Sequence, residues 1–404
     1  MPLIGTSQGS GVQFGVDRVV EDPARLPSAA RVGLVTNESA RLARDATIRS
    51  RVALLGAGIP LVRLFAPEHG LSAAGADGSA MPDGVDAATR LPIVSLYGAR
   101  FAPPDDALAD LDLVVFDIPD VGARFYTYAW TLSHVMESCT RLGVPLAVLD
   151  RPNPLGGALS LAEGPMLDEQ HCASFTGRWP IPVRHALTLG ELARHWAATR
   201  LPGLQLTVVP CTGWRRDQQW PALALPWVPT SPAMPSFESA LLYPGLCLFE
   251  GTNLSVGRGT DAPFQRVAAP WLRAQRLVEV VGDVLPSAVR VVAERVVPRE
   301  GPFAGEPCEG VRVEVRVARD VRPVAIALTL LAALIRAQPG TFAWAPYPTA
   351  ANPLGGDHFE RLVGQRGIAE RLADVATPVT PGDITRWTDA EDWASRVRDA
   401  LLYP

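Results

Sequence analysis

The chain has 404 residues, 48% of them hydrophobic and 20% charged, with a formal net charge of -5. That length fits about two domains, the balance is that of a globular protein, and the acidic charge argues against a general binder of nucleic acid or of membrane surfaces. Every basic side chain is arginine; without a lysine, Schiff-base chemistry, pyridoxal phosphate attachment and a P-loop are excluded.

Taken in chain order, the first half alternates two kinds of segment. Short apolar runs at residues 31–36 (RVGLVT), 61–65, 93–96, 111–116 (LDLVVF), 146–149 and 204–209 predict strands covered on both faces. Amphipathic stretches at 40–55, 128–142 and 189–199 predict helices between them. This alternation implies α/β architecture: a Rossmann-like, doubly wound parallel sheet over residues 1–225. Residues 220–235 (WPALALPWVPTSPAMP) read as a linker or wrapping loop. Beyond them, a helix at 236–248, strands at 289–297 and 310–317, a helix at 323–336 and helical pattern from 357 onward predict a smaller C-terminal α+β domain over 226–404. The apolar run at 324–335 is too short to span a bilayer. Residues 1–15 lack a basic start followed by an apolar run, so no signal peptide is expected and the cytoplasm is the expected compartment. Cys139, Cys172, Cys211, Cys247 and Cys308 have neither zinc nor redox spacing, and no metal or organic cofactor is expected.

Ligands of open parallel sheets bind beyond the carboxyl ends of the strands. Asn37 follows the first predicted strand, and Pro67-Glu68-His69-Gly70 the second. Tyr97 follows the third; Asp117, Asp120, Arg124 and Tyr126 the fourth; Asp150, Arg151 and Asn153 the fifth. One sheet edge thus collects acids, arginines and tyrosines. Signatures for dinucleotide binding, for a serine nucleophile elbow and for zinc hydrolysis are all missing. What remains is carboxylate, arginine and tyrosine chemistry on a polar substrate.

A second constellation, F-E-G-T-N-L-S-V-G-R-G-T-D at 249–261, gathers Glu250, Asn253, Arg258 and Asp261. Gly257 and Gly259 would let its backbone approach a ligand. We expect this loop to reach the sheet edge from the second domain, since interdomain clefts commonly hold such sites. Cleavage of a sugar bond needs a carboxylic acid of raised pKa to protonate the leaving oxygen. Glu68, set in a tight turn between Pro67 and Gly70, is the best candidate; His69 is adjacent.

At these residues the chain resembles the NamZ-type exo-β-N-acetylmuramidases, formerly an uncharacterised bacterial domain family. The carrying segments run through nearly the whole chain. They include F-A-P-E-H-G at 65–70, S-L-Y-G at 95–98, V-F-D-I-P-D-V-G-A-R-F-Y-T-Y at 115–128, L-D-R-P-N-P-L-G-G at 149–157, P-W-V-P-T-S-P-A-M-P at 226–235 and C-L-F-E-G-T-N-L-S-V-G-R-G-T at 247–260. The chain departs from the pattern at Pro119 and in the Ala/Ser-rich segment 71–81. The resemblance implies a Rossmann-like domain followed by a smaller one. It also implies hydrolytic release of N-acetylmuramic acid from the non-reducing end of peptidoglycan fragments, with Glu68 as catalytic residue. Asp120, Glu250 or the substrate's own N-acetyl group is then the second catalytic group. Arg258 and Arg124 are the expected partners of the lactyl carboxylate. Asn37, Tyr97 and Asn153 are expected to bind hydroxyl or acetamido groups, and His69, Tyr126, Arg151 and Asn253 to line the same site. A non-catalytic binder of cell-wall sugars and a nucleotide-sugar enzyme on the same sheet are the alternatives. A chromogenic muramide would distinguish them.

Overall fold

Six short apolar strands pair in parallel because helices cover both faces of the sheet they form. The computed structural model describes residues 11–404 apart from residue 283. In chain order the strands are β1 (Val32–Thr36), β2 (Leu61–Ala66), a two-residue β3 (Gly84–Val85), β4 (Pro92–Ser95), β5 (Leu113–Asp117), β6 (Leu146–Leu149) and β7 (Leu206–Val209). They lie in the order β3-β4-β2-β1-β5-β6-β7, and only β3 runs antiparallel, along β4. Leaving β3 aside, this is the Rossmann order, whose direction of winding reverses between β1 and β5.

Side chains alternate across the sheet, so each face has its own core. Leu34, Leu64, Val115 and Leu149 pack with Val16 and Val19 of α1 (Gly15–Glu21) and Leu54 of α2 (Ser50–Gly56). α3 (Asp105–Leu108) sits beside the other face, whose Val35, Phe65, Val114, Phe116 and Val148 pack under α4 (Tyr128–Leu142) and α5 (Leu189–Thr199). The end of α4 is set by Gly143, whose left-handed φ of 69° lets its N–H return to the last turn. The start of α5 is set by a Thr188–Glu191 capping box.

Residues 40–55 differ from the sequence expectation: only Ser50–Gly56 is helical. Upstream, Asp45 accepts from the N–H and hydroxyl of Thr47, and Arg41 donates to the Glu38 and Thr47 carbonyls. Such side-chain bonds to nearby backbone compete with helical pairing.

The second half begins with α6 (Phe237–Leu246) and builds a three-stranded antiparallel sheet, β8-β10-β9, from β8 (Arg266–Ala269), β9 (Val289–Val296) and β10 (Cys308–Val315). α7 (Ala274–Val281) packs against this sheet. β10 buries Val311 and Val313 and leaves Glu314 exposed, as its alternating text requires. The apolar run at 324–335, too short for a membrane span, lies in the largely buried α8 (Pro323–Ala337). It crosses α6 so closely that a Cβ on Gly245 would lie 1.9 Å from the Pro323 carbonyl oxygen. The chain closes with α9 (His358–Val363), α10 (Ile368–Ala373), α11 (Pro381–Thr388) and α12 (Trp393–Arg396). No helix among the described residues is long and apolar enough to cross a membrane. The core beneath α4 and α5 continues without a break into α6, α8 and β10, so the loops of the second half are held firmly over the carboxyl ends of the first sheet.

Candidate active site

The turn after β2 places Glu68 in a cleft lined by residues from both halves of the chain. The turn is tight: His69 and Gly70 both take left-handed backbone, at φ 65° and 69°. For a histidine this conformation is uncommon, and such strain concentrates at functional sites. It is held by His69 Nδ1, which is 2.8 Å from the Gly75 carbonyl.

Glu68 is only 6% exposed. Its Oε2 accepts from the Thr127 hydroxyl at 2.6 Å and its Oε1 from the Gly78 N–H at 3.0 Å. Thr127 stands at the N-cap of α4 yet makes no capping bond with its side chain; that hydroxyl serves Glu68 instead. Burial, then the negative charge of Asp77, push the Glu68 carboxyl above the usual glutamate range, against His69 and the two hydrogen bonds. Tyr97 closes in beside it, its hydroxyl raised by burial and by Glu68.

Asp77 lies further along the same loop. Its Oδ2 accepts from the Tyr347 hydroxyl at 2.7 Å and its Oδ1 is 3.3 Å from Arg258 Nη2. Its side chain is 29% exposed; the desolvation it does meet pushes this acid up, but Arg258, Tyr347 and the neighbouring histidines His69 and His358 together hold it below the ordinary aspartate value. The cleft therefore contains two nearby carboxyls driven in opposite directions, the pattern of an acid and its anionic partner.

Arg258 is the hub of the second half's contribution. Gly257 and Gly259, at φ 75° and 71°, carry the chain through left-handed turns on both sides of it. Its Nε donates to Glu250 Oε1 at 2.5 Å, and its guanidinium lies over the Phe264 ring. Burial raises Glu250, opposed by Arg258; its Oε2 also receives the Cys247 thiol at 3.2 Å. His358 stacks on Tyr347, and burial lowers its pKa to about 4, which leaves it neutral. The two halves are stitched where Ala350 N–H donates to the Gly78 carbonyl at 2.8 Å.

Of the residues singled out from the sequence, the cleft brings together Glu68, His69, Tyr97, Tyr126, Glu250 and Arg258. It does not bring in the others. Arg124 is fully buried and spends its guanidinium on the carbonyls of Pro165, Ile181 and Leu362. It is a structural post between the halves. Arg151 forks onto Asp117 and donates to the Arg41 carbonyl and Ser50. Asn153 binds the Leu187 carbonyl and the Leu155 N–H. Asn37 donates to Tyr128 and accepts from Ser39, and Asn253 pairs with residues 341 and 343. Asp120 accepts from the Gly122 N–H and stands 3.5 Å from His185. It faces a separate, largely apolar cleft near the β1–β5 reversal, lined by Phe14, Leu42, Pro119, Trp220 and Trp227. Asp261 pairs with Arg266 at the surface. Following a strand is thus insufficient: Asn37 behind β1, Arg124 behind β5, and Arg151 and Asn153 behind β6 are consumed in bracing the loops.

Among the groups in the cleft that escaped the sequence reading are Asp77, Thr127, Tyr347 and His358. Asp77 had a signal, since it is the sole acid in the otherwise uncharged stretch 71–81. Tyr347 and His358 had none, because only the packing of α9 and its preceding loop carries them there. The expected wrapping loop at 220–235 does wrap: Thr230 accepts from Tyr126 through its hydroxyl and from Tyr128 through its carbonyl.

Glu68, His69 and Asp77 each present one potential metal-ligand atom, all within 4.8 Å of one another. The chemistry of that set suits proton transfer better. Both Asp77 oxygens already meet donors, and the Arg258 guanidinium next to them opposes a second cation.

Both halves of the chain match family models. Residues 32–238 match the one described as exo-β-N-acetylmuramidase NamZ, N-terminal, and residues 241–403 its C-terminal counterpart. The peptidoglycan β-N-acetylmuramidase NamZ of Bacillus subtilis (strain 168) is 34% identical over 369 residues, covering 91% of this chain and 86% of that protein. Two crystal structures of DUF1343 family proteins from Bacteroides fragilis NCTC 9343 are also similar. One has a TM-score of 0.85 at 27% identity, covering 98% of this chain and 100% of its own. The other has a TM-score of 0.74 at 26% identity, covering 98% and 99%.

Proposed function

We propose a reaction for this protein from one premise: the chain belongs to the exo-β-N-acetylmuramidase NamZ family. It is a glycoside hydrolase that cleaves the β-glycosidic bond of N-acetylmuramic acid at the non-reducing end of peptidoglycan fragments. The observation that carries this reading is Glu68, a buried carboxyl in the cleft, whose surroundings favour its protonated form. Such a group is suited to give its proton to the leaving oxygen. The Gly78–Ala350 link, which ties loops from both halves together at the cleft, supports attack on a chain end over attack within a strand. For the lactyl carboxylate the proposed partner is Arg258. Its Nε and Nη2 face Glu250 and Asp77, and its remaining amino group is the one we assign to substrate. Tyr97, Tyr126 and His69 line the rest of the sugar site. We keep the cytoplasm as the proposed compartment, in keeping with five cysteines that are all free thiols.

The test is hydrolysis of a muramic-acid-terminated disaccharide by the wild type and by Glu68→Gln. That substitution keeps size and hydrogen bonding but removes the transferable proton, and turnover should fall on the order of 10²–10⁴-fold. A folded variant that turns over at the wild-type rate would remove Glu68 from the reaction. Failure of the wild type to release N-acetylmuramic acid would remove the reaction itself.

A further inference from the structure

The sequence left the second catalytic group open among Asp120, Glu250 and the substrate's own acetamido group. The cleft narrows that choice. Asp120 lies outside it. Glu250 lies inside, but it is paired with Arg258 Nε at 2.5 Å, accepts the Cys247 thiol through its other oxygen, and its side chain is only 6% exposed against 29% for Asp77. The remaining carboxylate is Asp77.

The spacing of Glu68 and Asp77 restricts what Asp77 does. Their nearest potential ligand oxygens are within 4.8 Å. An inverting enzyme needs a water between its acid and its base, and its carboxyls stand about 6.5–9.5 Å apart. This pair is too close for that and lies nearer the ~5–5.5 Å separation of retaining mechanisms. Retention requires a first attack on the anomeric carbon from within the site, by a carboxylate or by the substrate's acetamido oxygen. Asp77 is poorly placed to be that nucleophile. Each of its oxygens already meets a donor, Tyr347 at 2.7 Å and Arg258 at 3.3 Å, and attack would surrender one of those interactions. A carboxylate has about four acceptor positions, so an anionic Asp77 keeps room to accept one more N–H while both existing partners stay in place.

We propose that Asp77 is the second catalytic residue and works through the substrate: it accepts the acetamido N–H of the muramic sugar while the acetamido carbonyl oxygen attacks the anomeric carbon. This rests on the reading of the reaction given above. In the first step the acetamido oxygen bonds to the anomeric carbon and the bond to the leaving oxygen breaks. The Glu68 proton passes to that oxygen. The positive charge that develops on the acetamido nitrogen is held against the Asp77 carboxylate as an oxazolinium ion. In the second step a water oxygen bonds to the anomeric carbon, the bond from that carbon to the acetamido oxygen breaks, and its electrons restore the acetamido carbon–oxygen double bond. The water's proton passes to Glu68, and the sugar leaves with its β configuration. Arg258 and Tyr347 are positioning residues here: they keep Asp77 ionised beside a protonated Glu68.

Four measurements test this on the intact protein. First, aryl β-muramides bearing N-acetyl, N-fluoroacetyl and N-difluoroacetyl groups are compared with wild-type enzyme. Each fluorine weakens the attacking oxygen, so kcat/KM should fall at each step; equal rates along the series overturn the proposal and leave the hydrolase reading standing. Absence of any muramide cleavage defeats both. Second, the thiazoline analogue of the bicyclic intermediate should bind wild type on the order of 10²-fold or more tightly than the product sugar. That preference should collapse in Asp77→Asn, and its survival there overturns the role assigned to Asp77. Third, Asp77→Asn should lower kcat on the order of 10²–10³-fold, the usual loss on removing one preorganised electrostatic partner. Covalent labelling of Asp77 by a 2-fluoro-sugar would show a protein nucleophile and overturn the proposal whether or not the variant folds.

Discussion

Tyr347 donates its hydroxyl hydrogen to the Asp77 carboxylate at 2.7 Å, joining residues that lie 270 positions apart in the chain. The bond unites an acid from the loop after β2 with a phenol from the loop before α9, and so ties the electrostatics of the cleft to the docking of the two halves. Tyr347 is among the groups that hold Asp77 below its ordinary value.

Tyr347→Phe should therefore shift the pH profile in a defined direction. Loss of the donor lets the Asp77 pKa rise. Asp77 is needed as the anion, so the acid limb of kcat/KM should move to higher pH. The alkaline limb, set by loss of the Glu68 proton, should stay where it is, since Asp77 remains charged there. A profile whose alkaline limb moves while the acid limb does not would show that Tyr347 acts on Glu68 instead.

Arg258 carries two acids, and its removal should be felt twice. Its side chain is 10% exposed, against 6% for Glu250, and breaking a buried pair by deleting one partner costs about 3–5 kcal/mol. Arg258→Ala should lower the unfolding midpoint together with muramide turnover. Arg258→Lys should recover much of the stability but little activity, because an ammonium cannot reproduce the fork between Glu250 and Asp77. The lactyl role is read from the ratio of muramide to glucosaminide cleavage. Equal losses on the two substrates would leave Arg258 with its bracing role alone.

Exhaustive chelation should leave activity unchanged, because proton transfer by Glu68 and charge stabilisation by Asp77 need no metal. Their triad with His69 makes this worth measuring. Activity lost with chelator and restored by zinc or manganese would reassign that triad as a metal site.

Away from the cleft, Asp150 gives a pH dependence of stability with a clear sign. It sits at the start of α5, accepting from Thr188, the Gly190 N–H and the Tyr403 hydroxyl near the chain's end. Burial pushes its pKa up from 3.8 to about 6, against those hydrogen bonds. The folded state thus holds this proton more tightly than the unfolded chain. Stability from this group is complete below the unfolded pKa and is lost as pH rises through the folded one. Urea unfolding should show the wild type weakening between about pH 4 and 6, and Asp150→Asn should flatten that slope. An unchanged slope in the variant would assign the dependence to another group.

How far the sequence reaches is visible in particular residues. The strands were legible because a sheet buried on both faces demands unbroken apolar runs: Leu34 and Val35 serve opposite cores, so neither position tolerates polarity. Glu68 was legible because a proline, a glycine and a strand end mark a tight turn at a ligand-binding edge. The Gly257–Arg258–Gly259 loop was legible because glycine answers a local demand for left-handed backbone.

What the sequence determined by itself is therefore the sheet, its sidedness, and the two loops that meet over it. The partner of each polar group was decided only by tertiary structure. Arg124 and Arg258 are both buried arginines in motifs of similar text, yet one is spent on three carbonyls and the other stands between two acids. Asp77 reads as a lone acid in a plain loop until Tyr347 and Arg258 arrive from the other half of the chain. A carboxyl's charge and pKa depend on burial and on neighbours within a few ångströms, and those neighbours are assembled by packing across hundreds of residues, where neither periodicity nor spacing carries a trace of them.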